Sequence, residues 1–118
     1  MNSLLENAVI SITNGVEDFN SQNNSRVISS IRNIYAGILL LFKEKLRRLS
    51  PDNSEEVLVK QDIIPKLLDG EVTFIGKGKK TVDYSKLKER FNALDIDIDW
   101  DLMKEIQKER NNIEHYYT

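Results

Sequence analysis

The last nine residues of the 118-residue chain, RNNIEHYYT, contain the side chains best suited to proton transfer next to an anionic group. His115 is the only histidine in the sequence, and an imidazole can accept or donate a proton near neutral pH. Arg110 carries a guanidinium, which binds oxyanions through paired N–H groups. Asn111 precedes His115 by four residues, so the two side chains share one face if this segment is helical.

A helical wheel with about 100° per residue separates these side chains from the predicted core. An apolar stripe about 60° wide contains four residues, namely Leu102, Ile106, Ile113 and Tyr117. Arg110 lies at the edge of this stripe, at about 80°, and His115 lies at about 220°, beside Asn111. The wheel therefore predicts that His115 points away from the core. Both an idle surface histidine and a working group remain open at this point.

Two lysine-rich segments could contact an anion. The segment GKGKK at 76–80 has the composition of a phosphate-binding loop, but it lacks that motif's spacing and no helix follows it. We predict a hairpin turn there, whose lysines could touch a polyanion: Lys77, Lys79 and Lys80. The segment KEKLRR at 43–48 is predicted to be a solvated helix end, with phosphate contact through Lys43 and Arg47 as the alternative.

The acidic segment DIDIDWD at 95–101 resembles the start of a calcium-binding loop. That loop needs glycine at its sixth position and glutamate at its twelfth, where this chain has Trp100 and Ile106. We therefore predict a loop followed by a helix cap. With a single histidine and no cysteine, only carboxylates remain as metal ligands, so no metal site is expected.

Periodicity predicts a mostly α protein. Helical spacing of apolar residues marks segments 4–19, 25–49, 84–94 and about 99–118, the last capped by Asp99 or Asp101. Segment 55–68 is also predicted to be helical, with a kink before Pro65. Between these helices, residues 71–84 are predicted to form a short β-hairpin around GKGK. The expected architecture is a helical bundle with one inserted hairpin, folded as a single domain over 1–118.

Composition sets limits on the environment and on the partners. The formal charge of −2 argues against coating nucleic acid through bulk charge, although it leaves room for a local basic site. The longest apolar run, residues 36–42, is too short for a membrane span, and no signal peptide is recognisable at the N-terminus. The absence of cysteine fits the cytoplasm.

The motif Arg110-x4-His115-x-Tyr117 resembles the signature of the HEPN superfamily (higher eukaryotes and prokaryotes nucleotide-binding domains), in the form found in HEPN toxins paired with nucleotidyltransferase antitoxins. The segment SIRNIYAGILLLFKEKL at 30–46 is similar to the long early helix of many HEPN proteins. The predicted hairpin would be an insertion in the plain HEPN bundle. The chain's end, three residues after His115, is compatible with trimming of a longer protein.

The resemblance implies a metal-independent endoribonuclease that acts as a symmetric homodimer, without a cofactor, in a toxin–antitoxin or phage-defence setting. Arg110 and His115 of both chains would be catalytic, and Asn111 would orient the imidazole or bind phosphate. Tyr117 would be a site for modification by a nucleotidyltransferase partner. The alternative is a non-catalytic HEPN-like helical module for dimerisation or partner binding.

Overall fold

The computed structural model describes the backbone of residues 3–21 and 23–117 and, within these ranges, all side chains except those of Asn24 and residues 113–117. The described elements are α1 (Leu4–Asn20), α2 (Asn24–Leu49), β1 (Lys60–Leu68), β2 (Glu71–Thr81), α3 (Tyr84–Ala93) and α4 (Trp100–Tyr117). Two compact units result. Unit 1 comprises Met1–Leu41 and Ile98–Thr118, and unit 2 comprises Phe42–Asp97.

Each of the four described helices begins where a short polar side chain caps it. The Ser3 hydroxyl accepts a hydrogen bond from the Glu6 N–H at 3.1 Å, which starts α1. The Asn23 and Asp83 side chains cap α2 and α3 in the same way, at 2.9 Å from the N–H groups they accept. Such caps satisfy backbone donors that have no partner within the helix. The helices predicted at 4–19, 25–49 and 84–94 are confirmed, with ends shifted by at most one residue.

Small residues let α1 and the first part of α2 pack closely within unit 1. Gly15 and Gly37 are buried, and each lies against the other helix. A Cβ at Gly15 would lie 2.5 Å from Ile34 Cγ1, and a Cβ at Gly37 would lie 2.5 Å from Ile12 Cγ1. Because Gly15 meets the earlier part of α2 and Gly37 the earlier part of α1, the two helices run antiparallel.

The β-structure is larger than predicted, and only its second strand lies within the predicted segment 71–84. β1 pairs with β2 in an antiparallel two-stranded ribbon, in which Ile64 faces Ile75 and Leu68 faces Glu71. The ribbon turns at Asp69 and Gly70, whose φ angles of 50° and 80° suit a two-residue hairpin turn. The predicted helix at 55–68 is therefore wrong. The predicted hairpin at 71–84 is also wrong, since its turn segment GKGK lies inside β2.

The predicted fold class, a HEPN-like helical bundle with a short inserted hairpin, needs correction for this reason. The protein is a mixed α/β chain that is mostly helical, with 60% of its residues in helices. The prediction of a helix over 55–68 treated the apolar residues of DIIPKLL as helically spaced. Residues 64–68 of this run pair instead with EVTFI across the turn at Asp69 and Gly70, a hairpin contact that the apolar spacing of one segment does not reveal.

The core of unit 2 forms where the C-terminal end of α2, the start of β1, the end of β2 and helix α3 meet. The rings of Phe42 and Phe91 lie 5.2 Å apart at 58°, and Leu46 and Leu87 are fully buried. Arg90 of α3 then fastens the connection from α2 to β1. Its Nη1 donates to the carbonyl oxygens of three residues in or beside this connection, Val57 at 3.3 Å, Leu58 at 2.7 Å and Lys60 at 2.7 Å.

One helix meets the length and composition expected of a membrane span, contrary to our reading of the sequence. Within α2, the segment Ser25–Leu49 contains a window with a mean hydropathy of 1.2. The core helix of a soluble protein and a signal sequence pass the same test. The expected cytoplasmic location therefore stays a prediction.

Candidate functional site

The predicted site lies on α4, which starts as expected from one of its two candidate caps. The Asp99 carboxylate accepts the Leu102 N–H at 2.9 Å, so Asp99 rather than Asp101 is the cap. The buried face differs from the one drawn on the wheel. Leu102 is 55% exposed, whereas Met103 is only 5% exposed. Relative to the prediction, the buried face of α4 is therefore rotated about the helix axis by roughly one residue position.

This rotation moves Arg110 from the edge of the buried face towards its middle. Arg110 is half-buried, and its guanidinium carbon lies 4.9 Å from the centre of the Tyr35 ring. Tyr35 is 3% exposed and lies on α2. A cation over an aromatic face is attracted by the ring's quadrupole, so Tyr35 holds Arg110 in place without neutralising its charge. Burial raises the pKa of Tyr35, and the charge and hydrogen bonding of Arg110 oppose that rise.

The other residues of the motif fall into two groups. Asn111 is exposed, as is its neighbour Asn112. The backbone of α4 continues through His115 to Tyr117, but the side chains of His115 and Tyr117 lie outside the described residues. The predicted exposure of His115 and its predicted pairing with Asn111 therefore stay predictions.

The five basic residues proposed for RNA contact are in different situations. Lys77, Lys79 and Lys80 are exposed, on β2 instead of in the predicted turn. The Lys43 ammonium donates to the Thr81 hydroxyl at 2.8 Å, and burial lowers its pKa. Lys43 therefore lies beside Thr81, the last residue of β2, and Thr81 directly follows Lys80 in the chain. Arg47 is already paired with an acid.

That acid, Glu44, is a buried charge that the sequence interpretation missed. It is 5% exposed, and its carboxylate accepts from Arg47 Nη2 at 2.6 Å and from Arg48 Nε at 2.9 Å. The hydrogen bond from Arg47 is the largest cause that holds the pKa of Glu44 at about 2. The spacing of three and four residues from Glu44 to the two arginines could have revealed this pairing.

The acidic segment 95–101 forms the predicted loop and cap. Asp95 ends α3 in a left-handed conformation, with φ of 57°, and Asp99 caps α4. Within the described ranges, no group of three or more metal-ligating side chains is close enough to hold an ion.

Unit 2 contains a groove of 780 Å³ that the sequence did not suggest. Its apolar wall includes residues from α2, the connection, both strands and the end of α3: Leu49, Leu58, Ile63, Phe74, Ile75 and Leu94. Three residues beside it, Asn53, Glu55 and Glu56, have φ angles of 54° to 64°, which cost energy for residues with a side chain. The groove was missed because the segment of its first strand, β1, had been predicted as a helix.

Comparison with known proteins adds no relative to these observations. The chain matches no family model, no curated protein and no solved structure. The site must therefore be argued from its own chemistry.

Proposed function

We propose that this protein is a metal-independent endoribonuclease of the HEPN type, acting as a symmetric dimer with paired Arg110 and His115 side chains. Support comes from the surroundings of Arg110. A half-buried guanidinium fixed over Tyr35 sits next to the exposed Asn111, which helical spacing relates to His115. A fixed cation beside a titratable group at a surface is what phosphate-ester chemistry needs.

Cleavage would proceed through the RNA's own 2′-hydroxyl. One His115 takes the proton from that hydroxyl, whose oxygen attacks the adjacent phosphorus, and the bond to the 5′-oxygen breaks. The second copy's His115 donates a proton to the leaving oxygen, so that a cyclic phosphate and a 5′-hydroxyl result. Arg110 stabilises the negative charge that builds up on the phosphate oxygens. Asn111 orients the imidazole or binds phosphate.

RNA binding would rely on the exposed lysines of β2. Lys77, Lys79 and Lys80 carry three positive charges close together, whereas Lys43 and Arg47 already have partners. Contacts to phosphate release counterions, so binding should weaken as salt increases. Replacing the three lysines should reduce this salt dependence.

The decisive experiment compares variants of α4 on single-stranded RNA. His115→Ala and Arg110→Ala should abolish cleavage, and Asn111→Ala should slow it, while Asn112→Ala serves as the control because Asn112 is an exposed neighbour outside the motif. EDTA should leave the activity unchanged. His115→Ala should alter the free energy of unfolding by less than about 0.5 kcal/mol, as at most surface positions. Arg110→Ala should cost more, because its guanidinium lies over the Tyr35 ring and the side chain is half-buried.

Cleavage that persists in His115→Ala, or that stops with EDTA, would contradict the proposal. A wild-type protein that never cuts RNA would do so as well.

The proposal includes control by a nucleotidyltransferase. A nucleotide added to Tyr117, the last residue of the motif and seven residues after Arg110, would bring negative charge near Arg110 and compete with RNA. Coexpression with a neighbouring nucleotidyltransferase should then raise the intact mass by one nucleotide monophosphate, and Tyr117→Phe should prevent the increase. An unchanged mass would remove this part of the proposal.

A non-catalytic partner-binding module is the second candidate, and the ribbon favours it. Four apolar residues on one face of the ribbon are exposed: Ile63 at 41%, Leu67 at 69%, Val72 at 66% and Phe74 at 59%. Contiguous exposed apolar residues mark interaction sites more often than single ones do. If RNA is never cut and Phe74→Asp abolishes binding to a copurifying protein, this candidate becomes the better account.

A further inference from the structure

The two edges of the β-ribbon differ in their outward backbone groups. In an antiparallel pair, every second residue of a strand directs its N–H and C=O groups to the neighbouring strand, and the residues between direct theirs outward. The Gly76 N–H donates to the Ser54 carbonyl at 2.8 Å, outside the ribbon, so Gly76 belongs to the outward set of β2. The same alternation directs the N–H and C=O groups of Val72 and Phe74 outward. These groups form the 72–74 edge.

The outer edge of β1 is interrupted by a proline. Val72 and Phe74 pair across the ribbon with Leu67 and Pro65, respectively, whose outward groups form the opposite edge. Pro65 has no N–H, so the row of donors along β1 has a gap at this position. The 72–74 edge has no such gap. An added strand can therefore pair continuously with β2 but not with β1.

The connection from α2 covers only part of the outer edge of β2. Ser54 meets Gly76, but Asn53 and Glu55 on either side of Ser54 have φ angles of 64° and 54°, which are incompatible with an extended strand. The connection therefore does not continue along β2 towards the turn. Among the described residues, no backbone group from outside the ribbon bonds to the 72–74 edge. This edge is thus open to a strand from another chain.

The 72–74 edge borders the apolar groove of unit 2. Phe74 and its neighbours Thr73 and Ile75 line the groove, together with the ends of α2 and α3. Successive side chains of a strand point to opposite faces. A strand added at this edge would alternate its side chains between the face of Thr73 and Ile75 and the face of the exposed Phe74. Apolar side chains are favoured there, because they would cover apolar surface of the ribbon and the groove.

The charges around the groove select a basic segment as the occupant. Among the described residues, Asp52 is the only charged one that lines the groove. The depression beside it is lined by three acids, Asp52, Glu55 and Glu56, and by one described cation. That cation, Arg47, is already bound to a buried acid. A lysine or arginine at the end of an added strand would meet these carboxylates.

A second copy of this chain is disfavoured as the occupant by its own charges. Two copies joined antiparallel through the 72–74 edge would place the turn of one chain beside the connection of the other. Asp69 and Glu71 lie at the turn, and the connection carries the three acids that line the depression. Like charges would therefore face each other at both ends of such a pair. A basic segment of a different protein meets no such repulsion.

We propose that unit 2 binds an extended segment of a partner protein, which adds to β2 as a third strand at the 72–74 edge. The segment alternates apolar residues along its length and ends in lysine or arginine. Main-chain hydrogen bonds to the edge supply affinity, and the groove and its acidic side supply specificity. This inference goes beyond the nuclease and needs no RNA, so either proposal can fail while the other stands.

Peptide selection on the immobilised full chain is the first test. From a displayed library of random dodecapeptides, we expect enrichment of sequences that alternate apolar residues and contain lysine or arginine. The most enriched peptide is then synthesised, and its dissociation constant is measured by fluorescence anisotropy. Absence of enrichment, or enrichment of acidic peptides, would overturn the proposal.

Proline substitutions on the two edges form a matched pair. Val72 and Leu67 are direct partners across the ribbon and are 66% and 69% exposed, but their N–H groups point to opposite edges. Val72→Pro removes a donor of the 72–74 edge and should raise the dissociation constant at least about tenfold, the value of one main-chain hydrogen bond. Leu67→Pro should change it by less than about twofold. Circular dichroism checks the fold of both variants, and equal effects of the two would contradict the proposed edge.

Amide hydrogen exchange locates the peptide on the wild type without any substitution. Binding should slow the exchange of the Val72 and Phe74 N–H groups at least about tenfold, because they enter main-chain hydrogen bonds. Exchange at Leu67, on the opposite edge, should be unchanged. Slowing at Leu67 alone, or at none of the three, would overturn the proposal.

Charge reversal tests the acidic side of the groove. Asp52→Lys should weaken binding of the peptide and reduce its salt dependence, because a carboxylate beside the groove is lost. Asp62→Lys is the control, since Asp62 is exposed on β1 and does not line the groove. Equal effects of the two reversals would contradict a basic partner segment.

The remaining outcomes separate this proposal from its rivals. A wild-type dimer that Val72→Pro converts to a monomer in sedimentation equilibrium would assign the edge to a second copy and overturn the partner segment. If the wild type binds the selected peptide but never cuts RNA, the β2 edge stands and the nuclease fails. If it cuts RNA but selects no peptide, the reverse holds.

Discussion

Arg90 in unit 2 and Arg110 in unit 1 are both half-buried cations, but they are held in different ways. Arg90 donates to three backbone carbonyl oxygens, and burial lowers its pKa. Arg110 lies over the ring of Tyr35. A guanidinium has five donors in one plane, and a single tyrosine engages only part of them. Arg90 therefore holds the backbone of the connection in place, whereas Arg110 is positioned by an aromatic ring.

Acidic and neutral side chains show a further difference between the two units. In unit 2, the buried Glu44 is bound by both Arg47 and Arg48, so its charge serves the fold. Next to Arg110, Asn111 and Asn112 are neutral and exposed. An anion approaching Arg110 would thus meet no opposing charge from these two neighbours. For arginine side chains, the comparison suggests looking for binding chemistry in unit 1 and for stability in unit 2.

The largest expected effect is the loss of Arg90. Arg90→Ala leaves three carbonyl groups without this donor, two of them on the buried Val57 and half-buried Leu58, and should lower the free energy of unfolding by about 3 kcal/mol. Urea denaturation measures the change. Lys86→Ala is the control, since Lys86 forms only an exposed pair with Glu89 at 3.5 Å, and it should cost less than about 0.5 kcal/mol. Equal costs for the two variants would contradict a fastening role for Arg90.

A smaller effect, with a characteristic pH dependence, is expected at Glu44. The pKa of this carboxyl is lowered from 4.5 to about 2 in the folded protein, chiefly by the hydrogen bond from Arg47. The folded state therefore gains stability above the unfolded pKa and loses it as pH falls from about 4.5 to about 2. Glu44→Gln should destabilise by about 1–2 kcal/mol at neutral pH, and the difference should vanish near pH 2.

Denaturation of wild type and Glu44→Gln over this pH range checks the prediction. Glu89→Gln, at an exposed position, should show little pH dependence of its effect. A Glu44→Gln deficit that stays constant as pH falls would mean that packing, not charge, explains it.

The smallest expected effect concerns the contact between Arg110 and Tyr35. A double-mutant cycle with Arg110→Met and Tyr35→Leu should give a coupling energy of about 1 kcal/mol, as expected for a partly desolvated cation over a ring. Tyr35→Phe keeps the ring and should retain most of the coupling. A coupling near zero would show that Tyr35 does not position Arg110, and the contrast with Arg90 would then be lost.

The sequence by itself determined where the helices begin and end. The helical spacing of apolar residues and the cap at Asp99 act within a few residues along the chain, so local reasoning found them, although it did not name the caps Ser3 and Asn23. It also found the motif Arg110-x4-His115, because a motif is a matter of spacing. The turn at Asp69 and Gly70 was present in the sequence as a hairpin signal but was outweighed by the apparent helical period of 55–68.

Only the tertiary structure decided the strand pairing and the rotation of the helices. Residues of β1 become a strand through bonds to β2, and the apolar run alone does not distinguish a strand from a helix. Met103 rather than Leu102 is buried in α4, and Ala8 and Gly15 rather than Val9 and Val16 are the residues of α1 buried against neighbouring structure. For the helices the physical reason is that the buried face depends on the shape of what packs against it, and that neighbour can lie far away in the sequence. For β1 the partner is near in the sequence, but the strand forms only through its pairing with β2.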